Sequence, residues 1–145
     1  MKLITDLKQN CLEPASVALG CFDGIHLGHQ AVIGCAVADK PNGLTPSVFT
    51  FQEYPLQVLT GNTVPTLLAP DTRNQIFEEI GVEQVFMPSF REVMNLEAEA
   101  FVHTVLKQYC KAEKVYCGFN FHFGKGGKAG LEELKQFGEK YGIEV

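Results

Sequence analysis

The sequence predicts an α/β protein built on a parallel sheet with helices on both faces. Short apolar runs typical of buried strands alternate with helical patterns along the 145 residues, and no repeat or linker interrupts them. Strands separated by helices favour right-handed crossovers and therefore parallel pairing. The length suits one domain with a hydrophobic core.

The first part of the chain contains two predicted strands. Residues 17–19 are apolar and predict a short buried strand, and the pattern of apolar residues from Gly28 onward predicts a helix. Ser47–Phe51 is rich in β-branched and aromatic residues, so it is predicted as the second strand. Residues 52–65 contain prolines and are predicted as a loop.

The rest of the chain continues the alternation of helices and strands. Pro70 begins a predicted helix that Gly81 ends, and Asn95 is predicted as the N-cap of the next helix. The remaining predicted elements are the strands Gln84–Met87 and Lys114–Cys117, a helix over Leu131–Tyr141, and the start of a fifth strand at Ile143–Val145.

The amino-acid composition limits the kinds of binding partner and cellular compartment that we expect for this protein. A net charge of −5 argues against nonspecific nucleic-acid binding, which requires a basic surface. Five scattered cysteines without a Cys-x-x-Cys pair favour a reducing compartment over a disulfide framework. There is no signal-peptide pattern and no apolar run of membrane-spanning length. We therefore expect a cytoplasmic protein without a membrane partner.

The segment Gly20–His29 carries the strongest chemical signal. It joins the first strand to the first helix, and a helix start leaves backbone N–H groups free to bind an anion. His26 and His29 add side-chain donors, while Gly24 and Gly28 allow a phosphate to approach the backbone closely. This pattern predicts a phosphate-binding turn.

A second glycine-rich turn, Gly118–Gly126, follows the strand that ends at Cys117. Three aromatic residues flank Asn120 there, a composition suited to a nucleotide and a flat ring. The turn lacks the Lys-Ser/Thr pair of a Walker A loop, and neither turn contains the Gly-x-Gly-x-x-Gly of dinucleotide-binding folds. Both turns follow carboxyl ends of parallel strands, where ligands bind, so they are expected to face one cleft.

Gly20-Cys21-Phe22-Asp23-Gly24-Ile25-His26-Leu27-Gly28-His29 resembles the signature of bacterial FAD synthetases, in their adenylyltransferase module. That module belongs to the His-x-Gly-His nucleotidyltransferase superfamily. Gly118–Gly124 resembles the Gly-x-Asn/Asp-Phe-x-Phe-Gly segment of the same family. The resemblance covers almost the whole chain. It implies a Rossmann-like nucleotidyltransferase fold that transfers AMP from ATP, with Mg²⁺, to FMN, forming FAD and pyrophosphate.

The resemblance also implies a set of site residues. His26, His29 and Asn120 would be catalytic, although Asn120 would equally suit flavin phosphate. Asp23 would either help hold Mg²⁺ or shape the turn, and no protein metal ligand is assigned. The positions expected to contact nucleotide or flavin are Gly20, Phe22, Asp23, Gly24, Gly28, Phe121, Phe123, Gly124 and Lys125.

Three departures from the family pattern keep alternatives open. Glu53 and Tyr54 replace a proline and a histidine of the family, and His122 stands where arginine is common. Beyond the position that corresponds to Val145, family members continue into a Ser-Ser/Thr-x-x-Arg segment. Most bacterial members then carry a riboflavin kinase domain. We therefore expect a C-terminally truncated fragment or a degenerate copy. The alternatives are a non-catalytic nucleotide- or flavin-binding module, or a nucleotidyltransferase acting on pantetheine phosphate, nicotinamide mononucleotide or a polyol phosphate.

Overall fold

The computed structural model describes residues 1–8, 13–20, 22, 27–52, 70–118 and 121–145. Its centre is a five-stranded sheet in the order β1-β4-β3-β2-β5, and every neighbouring pair is parallel. The predicted parallel sheet is confirmed. The strands are β1 (Lys2–Ile4), β2 (Ala15–Leu19), β3 (Thr45–Phe49), β4 (Gln84–Phe86) and β5 (Ala112–Cys117).

Helices cover both faces of the sheet, as predicted. They are α1 (Leu27–Ala38), α2 (Pro70–Ile80), α3 (Phe90–Val93), α4 (Ala98–Ala100), which continues as a π-helix over Phe101–Tyr109, and α5 (Leu131–Tyr141). Short 3₁₀ turns lie at Lys40–Asn42 and Lys125–Gly127.

The alternation of side chains along each strand divides the core into two layers. On β2, Ala18 packs with residues of α1 and α2, whereas Val17 and Leu19 pack with the π-helix and α5. The first layer also contains Ile33, Ala36, Val48, Phe77 and Val85. The second contains Phe49, Phe86, Val102, Val105, Leu106, Val115 and Leu134.

Several predicted boundaries are wrong. The second strand is Thr45–Phe49, two residues earlier than predicted, so Thr50 and Phe51 follow it. Asn95 is not an N-cap, because it lies in the turn after α3, and Glu97 precedes the helix instead. The predicted fifth strand reduces to a single parallel bridge between Lys114 and Glu144.

One edge strand and one short helix were not predicted, while two helices have the predicted bounds. The edge strand β1 has only three residues, of which Lys2 and Leu3 are exposed. The N-cap of the short helix α3 is Ser89, whose side chain accepts a hydrogen bond from the N–H of Arg91. The helix over Leu131–Tyr141 has the predicted bounds, and α2 begins at Pro70 and ends directly before Gly81, as predicted. Most of the predicted loop, from residue 53 to 65, lies outside the described residues.

Candidate functional site

The order of the strands reverses between β2 and β5. From β2 the chain proceeds through β3 to β4 on one side, and then crosses to β5 on the other side of β2. Leu19 and Cys117, the last residues of these strands, are paired across the ladder. The two glycine-rich turns therefore leave the sheet at the same edge, as the sequence predicted. In open α/β sheets this reversal is where ligands bind.

In the first turn, Gly20 and Phe22 fit together closely. Phe22 has φ of +52°, in the left-handed region that bulky residues rarely adopt. Its ring is only 2% exposed and lies against Gly20, where a Cβ would come within 3.0–3.3 Å of three ring carbons. The missing side chain of Gly20 thus makes room for the ring of Phe22.

His29 lies on the first turn of α1 and is half-buried. Its ring meets that of Phe22 edge to face, with centroids 5.3 Å apart and planes at 86°. Phe22 also meets Phe77 of α2 in a T-shaped contact, with centroids 5.8 Å apart and planes at 84°. A row of three rings, from His29 through Phe22 to Phe77, therefore links α1 to α2.

The structure places only part of the predicted phosphate-binding set. Gly20, Phe22, Gly28 and His29 are described, with Gly28 beside His29 in the first turn of α1. The predicted residues Asp23, Gly24, His26 and Asn120 lie outside the described residues.

In the second turn, the chain doubles back after β5. Phe123 and Ala129 exchange two backbone hydrogen bonds of 3.0 and 3.1 Å. Phe121 is half-buried and stacks on Phe123 at 5.9 Å and 15°, and Phe123 packs on Phe101 at 5.5 Å. Since Phe123 is only 6% exposed, it supports Phe121 from the core.

Gly124 docks this turn onto α4. Its φ of +78° and ψ of 173° belong to a region open essentially to glycine. A Cβ there would lie 3.1 Å from both Cα and Cβ of Ala98. The next residue, Lys125, is exposed.

Two ionisable groups beside the second turn have shifted pKa values. Burial raises the pKa of the Cys117 thiol, which keeps it protonated and a poor nucleophile. The pKa of Glu133 is lowered, first by the hydrogen bond that its carboxylate accepts from the N–H of Gly130, and also by nearby His122. Glu133 thereby completes the N-terminal cap of α5.

Sequence reasoning missed one residue at this edge of the sheet. Arg73 of α2 is 4% exposed, and its Nη2 lies 4.0 Å from Sδ of Met87, which directly follows β4. A signal was available, because Arg73 precedes Phe77 by four residues and so shares its helical face. An arginine on the apolar face of a helix, at the edge of the sheet where the two turns lie, was therefore a candidate residue for the site.

Within the described residues, no group of three or more histidine, cysteine or acidic side chains could hold a metal ion. Across the same part of the chain, the search for a helix of membrane-spanning length and apolarity finds none. A groove lined by Lys107, Lys114, Glu139 and Glu144 lies near the amino end of β5, away from the two turns.

The parallel sheet, the strand reversal between β2 and β5 and the turns at that edge define a doubly wound α/β protein, a class that binds nucleotides at this point. The family described as FAD synthetase matches residues 8–145. The chain belongs to the FAD synthetase family.

Curated relatives agree with this family. The chain is 38% identical over 124 residues to the bifunctional riboflavin kinase/FMN adenylyltransferase of Bacillus subtilis, covering 81% of the chain and 38% of that protein. It is 28% identical over 151 residues to the protein of the same name from Escherichia coli K12, covering all of the chain and 48% of the relative. The chain thus spans less than half the length of these relatives.

Solved structures confirm the fold. The crystal structure of a macrolide-efflux protein from Streptococcus pneumoniae superposes with a TM-score of 0.83 at 30% identity, covering 99% of this chain and 55% of that one. Pantothenate synthetase from Thermus thermophilus superposes with a TM-score of 0.54 at 14% identity, covering all of this chain and 60% of that one. The second likeness concerns the fold alone.

Proposed function

We propose that this chain is an FMN adenylyltransferase module that transfers AMP from ATP to FMN and releases FAD and pyrophosphate. The observation that carries the proposal is the pairing of Leu19 with Cys117, because it brings both family signature turns to one edge of the sheet. Family membership and the names of the curated relatives support the same activity.

In this reaction, a phosphate oxygen of FMN forms a bond to the α-phosphorus of ATP while the bond to the β-phosphate oxygen breaks. Negative charge grows on the α-phosphoryl oxygens and on the leaving pyrophosphate. The protein's contribution to such a transfer is mainly positioning and charge stabilisation. His29 and His26 would donate hydrogen bonds to these phosphate groups, together with N–H groups at the start of α1.

Mg²⁺, carried on the triphosphate and with Asp23 as an optional ligand, would supply further positive charge at the phosphates. The second turn would receive the acceptor: Asn120 would bind phosphate, and the half-buried ring of Phe121 would border the flavin. Lys125 at the exposed rim would attract the negative charge of the incoming phosphate groups.

The relatives' names also support a longer protein that carries a riboflavin kinase domain beside this module. The scattered cysteines support a cytoplasmic location, since a reducing compartment leaves thiols unpaired. Analysis of the intact coding sequence would test the first of these proposals, and fractionation of the host cell the second.

The activity test incubates the 145-residue chain with FMN, ATP and Mg²⁺ and measures FAD by chromatography. His29→Ala is expected to lower turnover a hundred- to thousand-fold, about 3–4 kcal/mol, as for removal of one preorganised donor. His103→Ala is the matched control, because His103 stacks on Tyr141 at 4.4 Å on the α4–α5 side of the protein. Its turnover should equal that of the parent chain.

Three outcomes contradict parts of the proposal. Near-full turnover by His29→Ala would refute the role of His29. Binding of FMN and ATP without FAD formation would identify a non-catalytic nucleotide- or flavin-binding module. Displacement of FMN by pantetheine phosphate, nicotinamide mononucleotide or a polyol phosphate would indicate a different acceptor.

A further inference from the structure

We infer that Phe22 is a positioning residue that fixes the imidazole of His29 in its orientation toward the ligand. The effect of this contact on catalysis rests on the proposed function, whereas the contact between Phe22 and His29 is itself observed in the structure. The ring of Phe22 is the surface against which the edge-to-face contact with His29 forms.

Three features of the fold hold the ring of Phe22 in place. Its backbone adopts φ of +52°, which turns the side chain into the core directly after β2. Gly20 leaves the space that the ring occupies, and Phe77 packs against the ring from α2. A non-glycine residue persists in this backbone region only when the surrounding structure specifies it.

The consequence for His29 follows from packing. An imidazole on the first turn of a helix can occupy several rotamers, and an edge-to-face partner favours one of them. A misplacement of about 1 Å in a reacting group can lower a rate by about a hundred-fold. Phe22 would therefore act on turnover through His29, without contacting the phosphates itself.

Phe22→Leu tests the inference because it removes the flat ring and keeps apolar bulk. The expected result is a fall in kcat of about ten- to a hundred-fold with an equal fall in kcat/KM for ATP, the pattern of a lost transition-state interaction. Phe86→Leu is the matched control, since Phe86 is 1% exposed and packs in the other core layer. It should lose comparable thermal stability but keep kcat.

The second readout is independent of activity. The chain has four histidines, so each imidazole resonance can be assigned by one substitution in NMR spectra. Phe22→Leu should shift the His29 resonance, while the His103 resonance stays in place. Gly20→Ala should shift the same resonance without deleting the ring, because the added Cβ displaces the ring of Phe22.

The outcomes separate this inference from the proposed function. A parent chain that forms no FAD overturns the proposed function and the catalytic meaning of the contact. An active parent chain whose His29 resonance is unmoved in both folded variants overturns the inference alone. An unchanged kcat in Phe22→Leu also overturns it, whereas a lowered kcat with a shifted His29 resonance supports it.

Discussion

Gly124→Ala should detach the second turn from α4. The substitution adds one methyl group where the backbone has φ of +78° and ψ of 173°. That methyl group would lie 3.1 Å from Cα of Ala98, which belongs to the helix backbone and cannot rotate away. Either the turn or the start of α4 must move.

Two costs set the expected loss of stability in Gly124→Ala. Holding alanine in a backbone region suited to glycine costs of order 1–3 kcal/mol. Forcing an extra carbon into a packed contact costs about 1–3 kcal/mol more. The free energy of unfolding should therefore fall by about 2–6 kcal/mol if the turn keeps its place. If the turn moves instead, the loss of stability is smaller and the affinity for FMN falls.

Urea unfolding followed by circular dichroism measures the stability, and fluorescence quenching of FMN measures its binding. Gly43→Ala is the control for a positive φ without a packing clash: its φ of +84° and ψ of 12° lie in the left-handed region, which costs alanine less than the region of Gly124, and a Cβ there meets no atom within 4 Å. A Gly124→Ala chain that matches Gly43→Ala in both stability and FMN affinity would refute the docking argument.

Two further predictions concern contacts away from the edge of the sheet where the two turns lie. Tyr116→Phe should lower the free energy of unfolding, measured by urea unfolding, by about 1–3 kcal/mol. The reason is that Asp39 Oδ2 loses the 2.5 Å hydrogen bond that Tyr116 donates. An unchanged free energy of unfolding would show that water replaces the donor. Glu99→Gln should lower the melting temperature at about pH 7. The hydrogen bonds that the Glu99 carboxylate accepts from Lys140 and Tyr141 hold its pKa below the ordinary 4.5, so they stabilise the fold above that pH. The difference from the parent chain should shrink as the pH falls below 4.5, and a difference that persists in acid would contradict the assignment.

The sequence was most informative where local signals agreed with the tertiary structure. The helix Leu131–Tyr141 has acidic residues at its start, an apolar stripe and a glycine after it, and its bounds were predicted. Asn95 misled because a good N-cap residue also suits a turn, and it lies in the turn that ends α3. The edge strand β1 is too short for an alternating pattern to be visible.

The π-helix shows a limit of periodicity. Its last turn is marked by the N–H of Cys110, which donates to the carbonyl oxygen of Val105, five residues earlier. Phe101, Val102, Val105 and Leu106 lie on its buried side. Four such positions are compatible with both helix types, so the wider winding was not readable from the sequence.

For the candidate site, the sequence predicted that both turns leave the sheet at the same edge but not how their side chains pack. The shared edge follows from topology, since both turns follow parallel strands. The contact between Phe22 and His29 depends on a positive φ at a phenylalanine, for which no residue-type preference gives a signal. Phe77 completes the ring row from a helix distant in sequence, which only the folded structure brings near.

The pairing of Leu19 with Cys117 has a consequence for how the chain acquires its binding capacity. The strands that precede the two turns are separated by most of the polypeptide, so the loop between them is long and its closure is entropically costly and slow. A nascent chain that does not yet include β5 would contain the Gly20–His29 turn without the Gly118–Gly126 turn. Under the proposed function, capture of nucleotide would therefore be a late event in maturation, and a bound nucleotide would stabilise the completed central ladder by mass action.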